Sequence, residues 1–352
     1  MKSRFRKPLK LPKFIDNSMT YSQAVLNGDR LALSRLLTQV ENDTPESREA
    51  LIDLFPRTGK AHLIGVTGAP GTGKSSLVNQ LALHYRKMEK KRIAIIAVDP
   101  SSPFTGGAVL GDRVRMRDLS GDTGVFIRSM ASRGSLGGLA QSTANMAQIF
   151  DAAGFDIIII ETVGAGQSEV DVARLAHTTL VVEAPGMGDD IQAIKAGILE
   201  IADILVVNKA DRPGVENTEK ALKSMLELAH PTQHVFQHHG TYISVSVPEI
   251  NSQQPFWIPH IQRTVSTEGK GIAELADSIA QHVEHLNQSG DWHIRERARL
   301  EVELDALIRE ALMNRFREEI SENQYNDVFE RIVGRNLSPL EAVNLLMNGG
   351  MK

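Results

Sequence analysis

The chain contains no cysteine. Disulfides, thiolate zinc sites, iron–sulfur clusters and cysteine nucleophiles are therefore excluded, and the composition fits a reducing, cytoplasmic setting. It also lacks any stretch approaching the roughly 18 consecutive apolar residues of a membrane helix. Charge of one sign is not in excess: 39 Lys and Arg face 43 Asp and Glu, a formal net charge of −4. That balance gives no global attraction to nucleic acid, and neither a nucleic-acid nor a membrane partner is expected. The start is locally basic, with Lys2, Arg4, Arg6, Lys7, Lys10 and Lys13 before the first acid, Asp16. No apolar run follows, so it does not form a secretory signal and is expected to be a solvated terminus. There is no internal repeat and no low-complexity tract. What is present is a 352-residue chain that is 41% hydrophobic and 23% charged. That suits a soluble globular protein with an ample core, of about two domains or one large domain with additions.

Residues 17–57 have the apolar spacing of short helices, interrupted at Asn27-Gly28-Asp29; Thr44-Pro45-Glu46 marks a helix start. From residue 61 the pattern changes. Apolar runs at 62–67, 92–99, 155–163, 179–184, 204–208 and 242–247 predict strands, with helices between them at 75–87, 136–152 and 216–229. A run such as Ile157-Ile158-Ile159-Ile160 suits a strand covered on both faces. The alternation predicts an α/β fold, a doubly wound and mainly parallel sheet. A proline-rich loop, 248–262, precedes a last expected strand at 263–267. Beyond about residue 288 only helices are expected, at 292–320, 322–333 and 338–346.

Gly68-Ala69-Pro70-Gly71-Thr72-Gly73-Lys74-Ser75 matches G-x-x-x-x-G-K-[ST], after an apolar strand and before an amphipathic helix. Glycines let such a loop turn its N–H groups onto a phosphate. Lys74 would reach the β- and γ-phosphates and Ser75 would bind Mg²⁺, with Ser76 in the same helical turn. Asn208-Lys209-Ala210-Asp211 follows a strand and matches N-K-x-D. A carboxylate at Asp211 can accept from guanine N1–H and N2–H₂. Adenine offers neither donor there, so GTP is favoured over ATP. Ser266 and Thr267, at the end of the last expected strand, complete the nucleotide-binding candidates.

Glu161-Thr162-Val163-Gly164 ends the 155–163 run, where GTPases usually carry D-x-x-G. Glu161 would hold Mg²⁺ directly or through water, and the Gly164 N–H would meet the γ-phosphate. The position after Gly164, where Ras-type enzymes carry a water-orienting Gln, is Ala165; Gln167 lies two residues further on. A slow intrinsic rate that needs a partner follows. Asp99 and Asp112 bracket a Gly-rich stretch and are the further Mg²⁺ candidates, with Arg115 a candidate charge stabiliser. Glu183-Ala184-Pro185-Gly186-Met187-Gly188-Asp189-Asp190, followed by Lys195, is either a third switch or an inert loop. His230, His234, His238 and His239 crowd together, but Pro231 interrupts any helix and no carboxylate joins them, so a polar mobile segment is preferred to a metal site. In the tail, Leu300, Leu304, Leu307 and Ala311, widened by Ile308 and Leu312, form an apolar seam suited to a dimer arm or to packing within the monomer.

Taken together, these strings resemble the MeaB/ArgK family of methylmalonyl-CoA-mutase-associated GTPase chaperones. The similarity runs through AVLNGDRLALSRLLTQVE at 24–41, GAPGTGKSS at 68–76 and VDPSSPFTGGAVLGDRVRM at 98–116. It continues in the block beginning ETVGAGQSEV at 161 and ending VVNKAD at 211. The resemblance implies a P-loop GTPase domain of the SIMIBI class at 59–288, a helical N-terminal extension at 1–58 and a helical dimerisation arm at 289–352. It implies GTP or GDP with Mg²⁺ as bound groups and a homodimer. It also implies an adenosylcobalamin-dependent acyl-CoA mutase as partner, with a cobalamin adenosyltransferase supplying the cofactor under GTP control. Mg²⁺ and switch roles carry over to Ser75, Asp99, Asp112 and Glu161, and a third switch to 183–197 with Asp189 and Lys195. Two other readings stand beside it: a GTPase delivering another metal such as nickel, motivated by the His-rich segment, and a transport-system kinase, an older label in the family.

Overall fold

The computed structural model describes residues 20–100, 116–119, 121–132, 138–162, 168–186, 201–229, 236–238, 241–243 and 257–349. The chain divides into two compact units, Met1–Trp292 and His293–Lys352.

The first unit is built on seven strands: β1 (His62–Thr67), β2 (Ile93–Pro100), β3 (Val125–Ser132), β4 (Ile157–Thr162), β5 (Thr178–Glu183), β6 (Ile204–Val207) and β9 (His260–Arg263). They form one sheet in the order β3-β2-β4-β1-β5-β6-β9, every pairing parallel. The isoleucine run explains the sheet's two covered faces. Ile158 and Ile160 point into one apolar cluster, Ile157 and Ile159 into another, as the two-residue period of a strand requires. The first cluster lies under the N-terminal helices α1 (Tyr21–Leu26), α2 (Arg30–Glu41) and α3 (Pro45–Leu54), with α5 (Gly138–Ala152) and α6 (Ser168–Leu175). The second holds α4 (Lys74–His84) and α8 (Ile272–Ser289). A third packs Val181, Leu205 and Val207 against α7 (Val215–Ala229). Each fully buried isoleucine contributes about 1.5–3 kcal/mol of burial.

Local chemistry fixes the helix starts. Asp29 accepts hydrogen bonds from the N–H groups of Leu31 and Ala32, and Thr44 accepts one from Ser47 with Pro45 at the first helical position. Arg30 then reaches the sheet, donating to the carbonyls of Thr123 and Val125 at 2.6 and 2.8 Å, over the Phe126 ring. Asp151 of α5 accepts from three successive backbone N–H groups, Gly59, Lys60 and Ala61, and so pins the entry to β1.

Three expectations need correction. The strand β3 lies outside the expected runs: the turn residues Gly121-Asp122-Thr123-Gly124 precede it, but Arg128 and Ser129 break its apolar run. The run at 242–247 is described only at Tyr242 and Ile243, which do not join the main sheet. Its described part, β8 (Thr241–Ile243), pairs antiparallel with β7 (Phe236–His238) in a separate two-stranded sheet. The last strand comes earlier than 263–267, at His260–Arg263; beyond it Val265 bridges Lys270 across the turn at 266–269.

The second unit is helical. It takes in most of α9 (Asp291–Glu319), then α10 (Glu322–Val333) and α11 (Pro339–Gly349). Ser321 and Gln324 cap α10 reciprocally. Helix α9 has no buried residue, and its seam residues Leu300, Leu304, Leu307, Ile308 and Leu312 are all exposed. Tyr325, Phe329, Leu340 and Val343 are exposed as well. No helix among the described residues is long and apolar enough to cross a membrane.

Candidate functional site

The connection leaving β1 runs toward β2 and the one leaving its neighbour β5 runs toward β6, in opposite directions across the sheet. Ligands of open α/β sheets bind beyond the carboxyl ends of strands at such a point. The G-x-x-x-x-G-K-S loop leaves β1 there. Gly68 has φ of +133°, and a Cβ on it would lie 2.1 Å from the Val182 carbonyl oxygen, so no other residue fits. Gly73 has φ of +95° and starts α4; a Cβ there would come 2.5 Å from the Asn208 amide nitrogen. The loop thus presses against β5 on one side and the N-K-x-D segment on the other.

Lys74 is buried and donates to the loop's own carbonyls, Gly68 at 2.6 Å and Ala69 at 3.0 Å. Thr72 closes the loop by donating to the Ala69 carbonyl at 2.9 Å. Pro70 and Ser76 are exposed at its rim. Ser75 donates its hydroxyl to Glu161 Oε1 at 2.6 Å, joining the start of α4 to the end of β4. Beneath them the Thr162 hydroxyl donates to Thr67 Oγ1 at 3.3 Å.

The N-K-x-D segment is tied to the loop by two side chains, Asn208 and Lys209. Asn208 is buried, and its amide donates to the Thr72 carbonyl at 2.9 Å. Its oxygen accepts from the Thr264 hydroxyl at 3.1 Å and from the Ser266 N–H and hydroxyl at 3.2 and 2.7 Å. Lys209 takes a left-handed backbone, φ 56°, and donates to the Gly71 carbonyl at 2.5 Å. Asp211 and Thr267 are exposed on the same side. The structure therefore gathers Gly68–Ser75, Glu161, Asn208, Lys209 and Ser266 into one constellation. Thr264 belongs to it and was not singled out beforehand. Its hydroxyl partner is Asn208, just beyond the end of β6, which no local pattern announces.

Asp99 is placed by its backbone at the carboxyl end of β2, paired with Ala131. Asp112, Arg115, Gly164, Gln167, Asp189 and Lys195 lie outside the described residues, as do His230, His234 and His239. Among the described residues no group of three His, Cys, Asp or Glu is placed to hold a metal ion. Ser75 and Glu161 do fit Mg²⁺: they are oxygen donors, the hard ligands that ion takes, already within 2.6 Å of one another at the phosphate loop.

Comparison with known proteins agrees with this geometry. The family model described as "Methylmalonyl Co-A mutase-associated GTPase MeaB" matches residues 33–321. A protein of Pyrococcus abyssi described as a GTPase is 42% identical over 320 residues, covering 91% of this chain and 93% of its own. GTPase ArgK of Escherichia coli is 33% identical over 317 residues, covering 89% and 90%. The crystal structure of a LAO/AO transport system kinase superposes with a TM-score of 0.64 at 24% identity, covering 94% of this chain and 97% of that one; this likeness bears on the fold alone. With the phosphate loop, the guanine-reading motif and a match over most of its length, the chain belongs to the MeaB family of P-loop GTPases.

Proposed function

We propose that the protein is a GTP-hydrolysing chaperone of an adenosylcobalamin-dependent acyl-CoA mutase, gating cofactor loading and protecting or reactivating that enzyme. The observation that carries the GTP part is the Asn208 bridge, which ties the phosphate loop, N-K-x-D and Ser266 into one pocket. The mutase part rests on the family's description as methylmalonyl-CoA mutase-associated.

In this reading the phosphates displace the Gly68 and Ala69 carbonyls as partners of Lys74, and the loop N–H groups take the remaining oxygens. Asp211 holds the guanine edge, the Lys209 stem packs on the base, and Ser266 with Thr267 closes the pocket. Ser75 and Glu161, with Asp99 and Asp112, hold Mg²⁺, which when bound neutralises charge developing on the phosphates. Gly164 meets the γ-phosphate, and water attacks in line. Arg115, Gln167, Asp189 and Lys195 belong to segments that respond to that phosphate and face the partner. A cobalamin adenosyltransferase is the cofactor source, and the working form is a cytoplasmic homodimer. The exposed seam on α9 supports the dimer, because an apolar stripe left in water is stabilised by a second copy.

Steady-state GTP hydrolysis, with and without the same organism's mutase and with ATP as control, tests the proposal. Stimulation by the mutase with ATP inert is the expected result. Hydrolysis unaffected by the mutase, with no complex formed, would remove the mutase role and leave the GTPase.

A further inference from the structure

The end of the sheet opposite the nucleotide carries a connected set of histidines. His62 opens β1, His177 and Thr178 open β5, Asp203 precedes β6, His260 opens β9, and His282 and His285 lie on α8. The Thr178 hydroxyl sits between two rings, 2.8 Å from His62 Nε2 and 2.9 Å from His282 Nδ1. On its far side His282 Nε2 lies 3.2 Å from Asp203 Oδ1. Asp203 is fixed in turn, accepting from the Thr179 N–H at 2.7 Å.

One placement of protons is favoured in this row. His282 Nε2 makes no hydrogen bond, but Asp203 Oδ1 lies 3.2 Å away, and attraction to that carboxylate places the His282 proton on Nε2. Its Nδ1 is then an acceptor and Thr178 must donate to it. The Thr178 oxygen is left to accept from His62 Nε2–H. His177 is also neutral, because its Nδ1 accepts the Leu63 N–H at 3.0 Å.

Both tryptophans of the chain rest on this set. Trp257 lies 4.7–5.4 Å from the rings of His260, His282 and His285 and donates to the Asp203 carbonyl. Trp292, in the first turn of α9, stacks on His177 with centroids 3.9 Å apart and planes at 16°, and lies 5.8 Å from His62. The left-handed Gly290, φ 82°, ends α8 and lets the chain turn so that Trp292 reaches these rings.

We propose that Trp292 and the neutral His62–His177–Thr178–His282 row form an acid-sensitive latch on the first turn of α9, closed when the row is neutral and released when it gains a proton. A proton on His177 Nδ1 would set two donors, that nitrogen and the Leu63 N–H, against each other. The ring must then turn, which takes it off Trp292. A proton on His62 would place a charge in a site where burial and the neighbouring His177 and His282 already hold that ring well below its usual 6.5. Asp203 acts in the other direction on His62, and Asp291 Oδ2 lies 3.9 Å from His285 Nε2 at the edge of the set. The latch opens at His177.

Incorporation of fluorotryptophan into the full chain gives two fluorine resonances, assigned with Trp292→Phe. The chain is acidified from about pH 8 to about pH 5, the range in which histidine changes charge, with far-UV circular dichroism followed in parallel. The expected result is a Trp292 resonance that moves within this range while helix content is unchanged. In His177→Asn, which can accept from Leu63 but does not titrate, that movement is lost. In His62→Gln its midpoint shifts. A Trp292 resonance that stays fixed over the range overturns the proposal. So does one that moves only as the chain unfolds, or one that titrates identically in both variants.

Discussion

Asn208 is the side chain on which the nucleotide pocket turns, and replacing it with alanine should disable the pocket without touching phosphate or base contacts. The substitution removes one donor, to the Thr72 carbonyl, and an acceptor serving Thr264 and the Ser266 N–H and hydroxyl. Neutral hydrogen bonds contribute about 0.5–1.5 kcal/mol each, and a buried group left without a partner costs about 1–3 kcal/mol. The hydroxyls can rotate to other acceptors, while the Ser266 N–H cannot. The net loss is therefore about 2–4 kcal/mol, a fall in Tm of roughly 5–12 °C for a unit of this size. Because the phosphate loop and the 264–266 segment are no longer held in register, GTP and GDP should both bind about 30-fold more weakly, an effect of about 2 kcal/mol. Asn208→Asp should bind more weakly still. It keeps the acceptor for Ser266 but turns a carboxylate oxygen toward the Thr72 carbonyl. Displacement of a fluorescent GDP and a thermal melt of the nucleotide-free chain measure both quantities. Unchanged affinity in Asn208→Ala, or loss of GTP binding with GDP binding intact, would refute the claim that this bridge assembles the pocket.

Asp211→Asn should weaken GTP by at least about 100-fold and improve xanthosine triphosphate, since an amide can donate where xanthine offers an oxygen; competition binding decides, and retention of guanine preference would place base reading elsewhere. Glu161→Ala should lower hydrolysis about 100-fold, mostly relieved by raised Mg²⁺ if its role is ion binding; a Mg²⁺ titration of the rate separates this from simple misfolding. Leu304→Asp combined with Phe329→Asp should convert a dimer to monomers with basal GTP hydrolysis unchanged; light scattering that finds the native chain monomeric would end that reading. His62 is held neutral in the folded state, so its ordinary pKa of 6.5 belongs to the unfolded chain. Its stability contribution is complete above that pH and falls as pH drops below it, by up to about 1.4 kcal/mol per pH unit. Urea melts across that range should show the slope diminished in His62→Gln.

Much of this architecture was legible from periodicity alone. The β1 strand was placed to the residue because an apolar run ends at a glycine-rich turn, and the expected helix at 322–333 coincides with α10. The isoleucine run betrayed a strand buried on both faces. What escaped notice depends on partners distant in sequence. The strand β3 is recognisable only through its pairing with β2 and the reach of Arg30 from α2. The Thr264 hydroxyl gains its role from Asn208, 56 residues away. The histidines of the sheet's base attracted no attention because His62, His177 and His282 come from separate elements; the cluster that did catch the eye, at 230–239, is a local crowding with no carboxylate.

The Asn208 bridge also orders events during synthesis. Its bonds reach 136 residues back to Thr72 and 58 residues forward to Ser266. A ribosome making this chain delivers the phosphate loop early, yet the clamp on the base is complete only after β9 has emerged and joined β6. A nascent chain halted before His260 would carry every phosphate-loop residue and no closed pocket. GTP would stabilise the finished sheet by mass action without guiding its assembly. The nucleotide would then report that the unit is whole before any partner is engaged.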